Sequence, residues 1–572
     1  MQAEATLNHS CSHLLAAAIK RLYPKVKFAI GPAIENGFYY DFEFSQPVSE
    51  ADFGKIEKTM GKIKQQACPF ERKVVSLAEA KKLFANQPYK LEILKELKGK
   101  ISVYQTGDFV DLCKGPHVVD TAKIGAFKLL SIAGAYWRGS EQNKMLTRLY
   151  GICFPTAKEL AEFLRQRAEA AKRDHRKIGQ ELELFSFHPE APGDVFWHPK
   201  GYLIMQQLFE YWRELHRREG YQEVRTPEIL TRQVWNQSGH TDFFMEKIYR
   251  VLTPGAKQWD MAIKPMNCDG GILIYQSKLH SYREFPLRLG ELGVVHRFES
   301  GGEIHGLLRL REFTQDDAHI FCTPAQVKSE LKKVIALCFE FYDTFGLKLD
   351  HLELSTRPAQ SIGATAIWEK AEGIMRQVLQ ENQLPHQVNE GEGAFYGPKF
   401  DFHLRDSLGR TWQCATIQLD FAQPENFDLE YVTAKGTRER PVLIHRVIYG
   451  SVERFLGILI EQYAGAFPVW LAPVQAKIIP ITDQHLGYGR QVYQKLVDAG
   501  LRTELDDRRD TTAAKIRAAE LQKIPYLLVV GDREIANGHV NVRTRGKKVL
   551  GEMTTAAFLT RIKADLAQKR QI

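Results

Sequence analysis

Val295-His296-Arg297-Phe298-Glu299, the turn Ser300-Gly301-Gly302, and then Leu308-Arg309-Leu310-Arg311-Glu312-Phe313 form the stretch on which the fold of this chain turns. Apolar and polar residues alternate on both sides of the turn, which predicts two strands joined by a loop. Such a pair would bring Arg297 and Arg309 within reach of one anion. Arginine suits phosphate because its planar fork donates two parallel hydrogen bonds and keeps its charge. A strand arginine beside a carboxylate is more often structural, so this element alone leaves both readings open. Gly450-Ser451-Val452-Glu453-Arg454-Phe455 adds a further arginine at the start of an apolar helix, and Gly450 permits close approach to the backbone.

Working outward, residues 187–468 carry strand-like stretches such as Leu352 to Ser355 and Ala415 to Phe421 between amphipathic helices, which predicts a large α+β domain. After Phe467-Pro468 strand and helix alternate: a strand over Gln475 to Ile481, a helix over 484–499 stopping at Gly500, Leu501 to Leu505, a helix over 512–523 and a strand over Tyr526 to Val530. That is a small α/β domain over 469–572. The first 152 residues mix short helical and strand signals around turns such as Glu35-Asn36-Gly37 and read as a compact α+β domain. Between them, 153–186 reads as a connecting helix, with Leu160, Phe163, Leu164, Ala168 and Ala171 on one stripe and a Thr156/Glu159 capping box. Its basic end, Lys172 to Lys177, fits a solvated face as well as an RNA contact.

At 572 residues the chain exceeds what one core accommodates, and about 150 residues per domain predicts three to four domains. Apolar residues at 44% and charged at 26% exclude a disordered, collagen-like or coiled-coil chain. The formal charge of +9 is the small difference of 78 basic and 69 acidic residues, so nucleic-acid binding requires local clustering. Eight cysteines without a CxxC pair argue against a disulfide framework or zinc ribbon. No leader and no run of 18 apolar residues is present in the sequence, so a cytoplasmic chain without a membrane span is expected.

The arginine elements resemble the second and third signature motifs of class II aminoacyl-tRNA synthetases, and Pro227 in Val224-Arg225-Thr226-Pro227 is similar to the proline of the first, dimer-forming motif. Four further blocks are more specific: Lys264-Pro265-Met266-Asn267-Cys268, Phe313-Thr314-Gln315-Asp316-Asp317-Ala318-His319-Ile320-Phe321, Gly391-Glu392-Gly393-Ala394-Phe395-Tyr396-Gly397-Pro398-Lys399 and Ile444-His445-Arg446. Together they resemble the threonyl-tRNA synthetases over essentially the whole chain. The resemblance implies an N-terminal editing domain, a class II catalytic domain on an antiparallel sheet and a C-terminal α/β anticodon-binding domain.

It also implies that Cys268, His319 and His445 hold a catalytic Zn²⁺; alone, each would read as a buried Cys or a satisfied core His. Three N/S ligands leave zinc an open face, which in the family takes threonine's amino and hydroxyl groups. An apolar pocket separates isosteres such as valine and threonine only about a hundredfold, whereas a metal that demands the hydroxyl refuses valine. Asp317, Gln315, Tyr396, Lys399 and Gln418 are implied as threonine-binding residues. For ATP with Mg²⁺ the resemblance implies Arg297 on the α-phosphate, Glu299 at the adenine edge, Arg309 and Arg454 on the remaining phosphates, and Gln413, Thr416 and Ser451 nearby. His240, in Gly239-His240-Thr241, matches a position beside the terminal ribose of tRNA.

Serine keeps the hydroxyl and lacks only a methyl group, worth about 1–3 kcal/mol, so a hydrolytic second site is expected. His9-Ser10-Cys11-Ser12-His13 places two histidines on one helix face, and Cys113-Lys114-Gly115-Pro116-His117 repeats the offset. From the residues alone this reads as a zinc site; it equally resembles the editing domain of threonyl and alanyl enzymes, which favours metal-free hydrolysis of seryl-tRNA. Tyr40, Lys90 and Asp111 fall at editing-pocket positions. Glu534 and Arg543 match anticodon-reading positions, beside the cluster Arg543, Arg545, Lys547 and Lys548, in keeping with single-stranded loops being where RNA sequence is read.

The chain departs from the family pattern in three places. Asp269-Gly270-Gly271 stands where Pro-Gly-His is usual, so a carboxylate adjoins a zinc ligand. Arg509 stands where an asparagine is common near the anticodon. The chain starts almost at the editing histidines, so the small ubiquitin-like N-terminal domain of many relatives is expected to be absent. The implied partners are tRNA(Thr), threonine, ATP and a second copy of the chain. The rivals are a synthetase-like RNA-binding paralogue without charging activity and another class II enzyme, the prolyl one being nearest in domain style.

Overall fold

The computed structural model describes residues 2–34, 37–140, 142–546 and 548–569, so the turn residues Glu35 and Asn36 lie outside the described residues. The chain divides into two compact units, residues 1–169 and 170–572.

In the first unit the helix Gln2–Leu22 carries Leu7, Cys11, Leu14, Leu15, Ala18 and Ile19 at three- and four-residue spacing, and all are buried. This stripe packs on an antiparallel sheet whose path runs Lys27–Phe28, Gly37–Glu43, Met145–Phe154, Ala126–Tyr136. Phe38, Tyr40 and Phe42 alternate into that interface. A smaller antiparallel sheet, Phe70–Val75, Ile101–Thr106 and Phe109–Leu112, packs with the helices Leu77–Leu83 and Pro88–Glu96 around Ala80, Phe84, Leu94 and Val103.

The connecting helix is two helices, Ala157–Lys172 and His175–Glu181. The capping box is formed: Thr156 N donates to Glu159 Oε2 at 3.0 Å, and Glu159 N donates to Thr156 Oγ1 at 3.2 Å. The break comes at Asp174, whose carboxylate accepts from Arg176 N and caps the second helix. Ala168 and Ala171 are exposed, so the stripe covers only its first two turns. The basic end is not one solvated face either: His175 is buried 2.7 Å from Glu461, and Arg176 and Lys177 pair with Asp174 and Glu181.

The second unit is built on an eight-stranded sheet in the order Gln222–Glu223, Leu287–His296, Glu312–Cys322, Val442–Val447, Thr411–Asp420, Lys399–Arg405, Lys348–Ser355, His386–Asn389. The outermost pairs are parallel and every inner pair antiparallel. Strand alternation sorts the side chains. Ala318, Ile320, Phe400, Phe402, Leu404, Ala415, Ile417, Leu419 and Ile444 enter the main core with the helices Pro199–Arg218, Val327–Thr344, Thr365–Glu381 and Val452–Tyr463. Asp317, His319, Lys399, Asp401, Thr416, Gln418, Asp420 and His445 therefore point to the opposite face.

The strand expected over 308–313 begins only at Glu312. Gly306–Leu308 forms a 3-10 turn, and Arg311 is drawn aside by the backbone carbonyls of Glu299 and Pro192, at 3.0 and 2.9 Å. A five-stranded sheet near the C-terminus runs Thr503–Leu505, Ala476–Pro480, Tyr526–Val530, His539–Thr544, Val549–Thr554, its first two pairings parallel and its last two antiparallel. No described helix is long and apolar enough to cross a membrane.

Candidate active site and the histidine cluster of the first unit

Register builds the larger site. His319 lies opposite His445, His445 opposite Gln418, and Gln418 opposite Lys399, so four side chains from four strands form one row across the sheet. The row lines a cavity of about 500 Å³ with Cys268, Arg297, Gln315, Asp317, Tyr396, Gln413 and Thr416.

Carboxylates that the sequence reading missed fix these groups. His445 Nε2 donates to Asp420 Oδ2 at 2.8 Å, which leaves its Nδ1 lone pair free. Asp401 accepts from Gln413 Nε2 at 2.6 Å and Thr416 Oγ1 at 2.9 Å, and Lys399 Nζ lies 2.8 Å from its other oxygen. Strand parity was the available signal: Asp420 and Asp401 each stand two residues after an expected site residue. Asn267 Nδ2 donates to Asp317 Oδ2 at 3.3 Å, and Tyr396 donates to Gln418. Burial pushes the Asp317 carboxyl up to about 6.

Cys268 opens the helix Cys268–Gln276. Its glycines allow close approach: a Cβ on Gly270 would come 2.6 Å from Thr226 Cβ, and one on Gly271 3.2 Å from His319 Nδ1. Burial raises the Cys268 thiol well above its ordinary value, and burial pulls the His319 imidazole well below. His319 Nε2 is buried without a hydrogen-bond partner, and its ring stands edge-on to that of His445 at 5.1 Å between centroids. Asp269 stays against Cys268, its Oδ1 accepting from Cys268 Sγ at 3.5 Å, and the donor atoms of His240, Cys268 and Asp269 lie within 4.8 Å of one another. Asp269 Oδ2 accepts from Ser238 Oγ at 2.8 Å, and Ser238 Oγ accepts from His240 Nδ1 at 2.6 Å. His240 is fully buried, with Nε2 3.2 Å from Met266 Sδ and its ring against Phe395, both of which line the cavity.

The arginines separate. Arg297 lines the cavity, its Nε donating to Pro265 O at 3.1 Å. Arg309 instead pairs with Glu299 and Glu303, at 2.9 and 3.2 Å, and Lys247 holds Glu299 at 2.7 Å. Ser451 caps the helix Val452–Tyr463 through Arg454 N, and the Arg454 guanidinium sits over Trp412. Arg309, Glu299, Ser451 and Arg454 are therefore not among the groups that wall the cavity.

In the first unit, His9, His13, Cys113 and His117 bring four ligand atoms within 4.8 Å of one another. The histidine pair is helical; the cysteine pair lies in the loop after Phe109–Leu112. His9 Nδ1 donates to Pro116 O at 3.1 Å, and His117 Nδ1 donates to Ser10 Oγ at 3.1 Å, because the Ser10 hydroxyl is spent on Thr6 O. Both Nε2 atoms then face Cys113 Sγ, at 3.4 and 3.2 Å. Burial pushes the Cys113 thiol up to about 11 and the His117 imidazole down to about 2, and it lowers His9 and, more strongly, His13. Lys90 pairs with Asp111, Tyr40 donates to Asp111 Oδ2, and Lys90 Nζ donates to Tyr40 at 3.2 Å, a closed buried triad.

Near the C-terminus, Glu534 Oε2 accepts from Gly531 N at 3.0 Å and Arg543 lies on the strand His539–Thr544. Arg545 donates to Phe467 O at 2.5 Å, which removes it from the expected basic cluster; Lys547 lies outside the described residues. Arg509 is largely exposed and pairs with Asp483 at 3.2 Å.

An antiparallel sheet whose polar face holds this row behind a half-buried arginine is the core of a class II aminoacyl-tRNA synthetase: residues 249–463 match the family described as tRNA synthetase class II core domain (G, H, P, S and T). Residues 475–565 match the anticodon binding domain, and residues 101–150 the threonyl and alanyl tRNA synthetase second additional domain. Threonine-tRNA ligase of Carboxydothermus hydrogenoformans is 55% identical over 98% of this chain and 89% of its own, and that of Caldanaerobacter subterraneus is 53% identical over 98% and 87%. A crystal structure titled as the RNA binding domain of threonyl-tRNA synthetase from Cryptosporidium parvum aligns with a TM-score of 0.66 at 36% identity, covering 68% of this chain and 98% of that one. The chain belongs to the threonine-tRNA ligase family.

Proposed function

We propose that the chain activates threonine with ATP, transfers it to the 3′ end of tRNA(Thr) and hydrolyses mischarged seryl-tRNA(Thr), with editing in 1–152, a linker over 153–186, activation in 187–468 and anticodon reading in 469–572. The observation that carries this reading is the row His319, His445, Gln418 and Lys399 on one cavity with Cys268, Arg297 and Asp317.

Cys268, His319 and His445 have the donor chemistry for zinc, although the donor atoms grouped within 4.8 Å of Cys268 in this structure are those of His240 and Asp269. His319 Nε2 is buried and unpartnered, His445 is buttressed by Asp420 so that Nδ1 is free, and Cys268 needs a neighbouring cation to lose its proton. Zn²⁺ held by Cys268, His319 and His445 would supply the Lewis acidity that takes threonine's amino and hydroxyl groups. Asp317, held by Asn267, accepts a hydrogen bond from the substrate, while Gln315, Tyr396, Lys399 and Gln418 wall its position. Arg297 stabilises the charge that develops on the α-phosphate as the threonine carboxylate attacks, with Mg²⁺ on the nucleotide. Gln413 and Thr416, both anchored on Asp401, contact the nucleotide. Glu299, Arg309, Ser451 and Arg454 serve its adenine and outer phosphates, and Glu299 and Arg309 must first part from each other to do so. His240, positioned by Ser238 and Asp269, assists transfer to the ribose. In the first unit His9, His13, Cys113 and His117 position water for hydrolysis without a metal, Lys90, Asp111 and Tyr40 shape that pocket, and the match of residues 101–150 to the threonyl and alanyl second additional domain supports this. Glu534 and Arg543 read the anticodon, and the chain works as a cytoplasmic homodimer.

ATP-pyrophosphate exchange with threonine, serine, valine and proline, with and without a zinc chelator, tests the reading. Threonine should support exchange, valine and proline should not, and the chelator should abolish it. No exchange with threonine would favour the RNA-binding paralogue.

A further inference from the structure

Beyond the cavity, the polar face of the large sheet continues outward in register. Thr416 lies opposite Asp401 and Asp401 opposite Glu353; Gln413 lies opposite His403 and His403 opposite His351. The outer ends of these two rows place His351, Glu353 and His403 together on the strands Lys348–Ser355 and Lys399–Arg405, with one ligand atom from each within 4.8 Å of the others.

We propose that His351, Glu353 and His403 form a binding site for a borderline divalent transition ion, Zn²⁺ being the closest chemical fit, separate from the cavity. His351 Nε2 lies 3.3 Å from Glu353 Oε1, and His403 Nε2 lies 3.5 Å from Glu353 Oε2. A tetrahedral ion with N and O ligands at about 2.0–2.2 Å holds them roughly 3.3–3.6 Å apart. The two imidazoles stack at 4.3 Å with 10° between their planes, so one ring must rotate for both lone pairs to meet a single ion.

The surrounding groups orient each ligand. His351 Nδ1 donates to Asp350 Oδ2 at 2.8 Å, which leaves Nε2 as the lone-pair nitrogen, and Arg405 Nε fixes Asp350 at 2.6 Å. This is the carboxylate-histidine pairing that stiffens metal ligands. Asn389 Nδ2 donates to Glu353 Oε2 at 3.0 Å. His403 Nε2 is buried and makes no hydrogen bond.

Two imidazoles and one carboxylate select zinc, cobalt or nickel over magnesium or calcium, which prefer oxygen ligands. Three ligands leave a fourth position, and the side chains of all three retain 19–25% exposure through which water can reach it. Bound there, the ion ties the strand of His403 to the strand of His351 beside Gln413.

The test uses the full chain, stripped by chelator and dialysed against Zn²⁺, with bound metal counted by mass spectrometry. The wild type should bind one more equivalent per chain than the double variant His351→Gln/His403→Gln, and Glu353→Gln should weaken that equivalent at least about tenfold. Glu353→Gln preserves side-chain volume, and circular dichroism of both variants verifies the fold. With Co²⁺, the equivalent lost in the variants should carry no thiolate-to-cobalt band, which separates it from any ion on Cys268. Mg²⁺ should not compete. Equal stoichiometry and affinity in the wild type and both folded variants would overturn the proposal.

Discussion

The two Cys/His groups of this chain invite comparison because they share an ingredient list and differ in how its members are satisfied. In the first unit, His9, Cys113 and His117 satisfy one another, with a thiol proton facing two imidazoles and the outer nitrogens ending on a backbone carbonyl and a serine hydroxyl, while His13 Nδ1 is buried without a partner. In the second unit, Cys268, His319 and His445 line a cavity, one nitrogen has no partner, and a carboxylate buttresses another ring. Proximity of donor atoms therefore does not by itself separate a metal site from a hydrolytic one. Each group keeps one buried nitrogen without a partner, and what distinguishes the second is the cavity it lines and the carboxylate behind His445.

Reciprocal substitutions are the strongest attempt to break this contrast. Cys268→Ala should lower threonine-dependent pyrophosphate exchange by at least about 100-fold and lose the bound zinc while leaving seryl-tRNA deacylation intact. His13→Ala should do the reverse, with deacylation falling on the order of 100-fold and threonylation unchanged. If either substitution lowers both activities in a folded chain, the two groups are not independent. Next in size, Asp420→Asn should weaken zinc by about 10- to 100-fold through His445, measured by competition with a chromogenic chelator. Unchanged affinity would mean that the buttress does not matter.

The smallest effect is on pH. A histidine held below its ordinary value is neutral in the folded chain, whereas the unfolded chain takes up a proton near 6.5. Stability is therefore full above that pH and lost as pH falls toward the folded value. For His117, lowered to about 2 by burial, that contributes up to about 1.4 kcal/mol per pH unit below about pH 6. His117→Asn should flatten the decline of unfolding free energy between pH 6 and 5 by about one proton; an unchanged slope would show the ring protonated in the folded chain.

Much of this was legible in the sequence wherever the period of the backbone carried it. The strand-like stretches Leu352 to Ser355 and Ala415 to Phe421 fall on the strands Lys348–Ser355 and Thr411–Asp420, and the C-terminal alternation from Gln475 to Val530 matches its strands and helices. Reading failed where a side chain's partner lay elsewhere in the chain. Arg309 and Glu299 are close in sequence, yet only the fold shows that they bond each other. The halt at Asp174 looked like uninterrupted helix because an Asp cap inside a basic run carries little hydrophobic signal. No spacing rule brings Cys268, His319 and His445 together; only the motif resemblance singled them out. Asp420 and Asp401 had the correct parity, but a buried carboxylate gives no sign in sequence of the histidine or amide it will hold.

The row from His319 to Lys399 makes strand register the ruler of this surface. Inserting one residue within any of its four strands would exchange that strand's cavity residue for a core one, while insertions in the connecting loops would leave the row untouched. The surface is therefore tolerant of changes in length between strands and intolerant within them, so loop-grafted variants should keep the pocket, whereas a single in-strand insertion should erase it and expose apolar residues in its place.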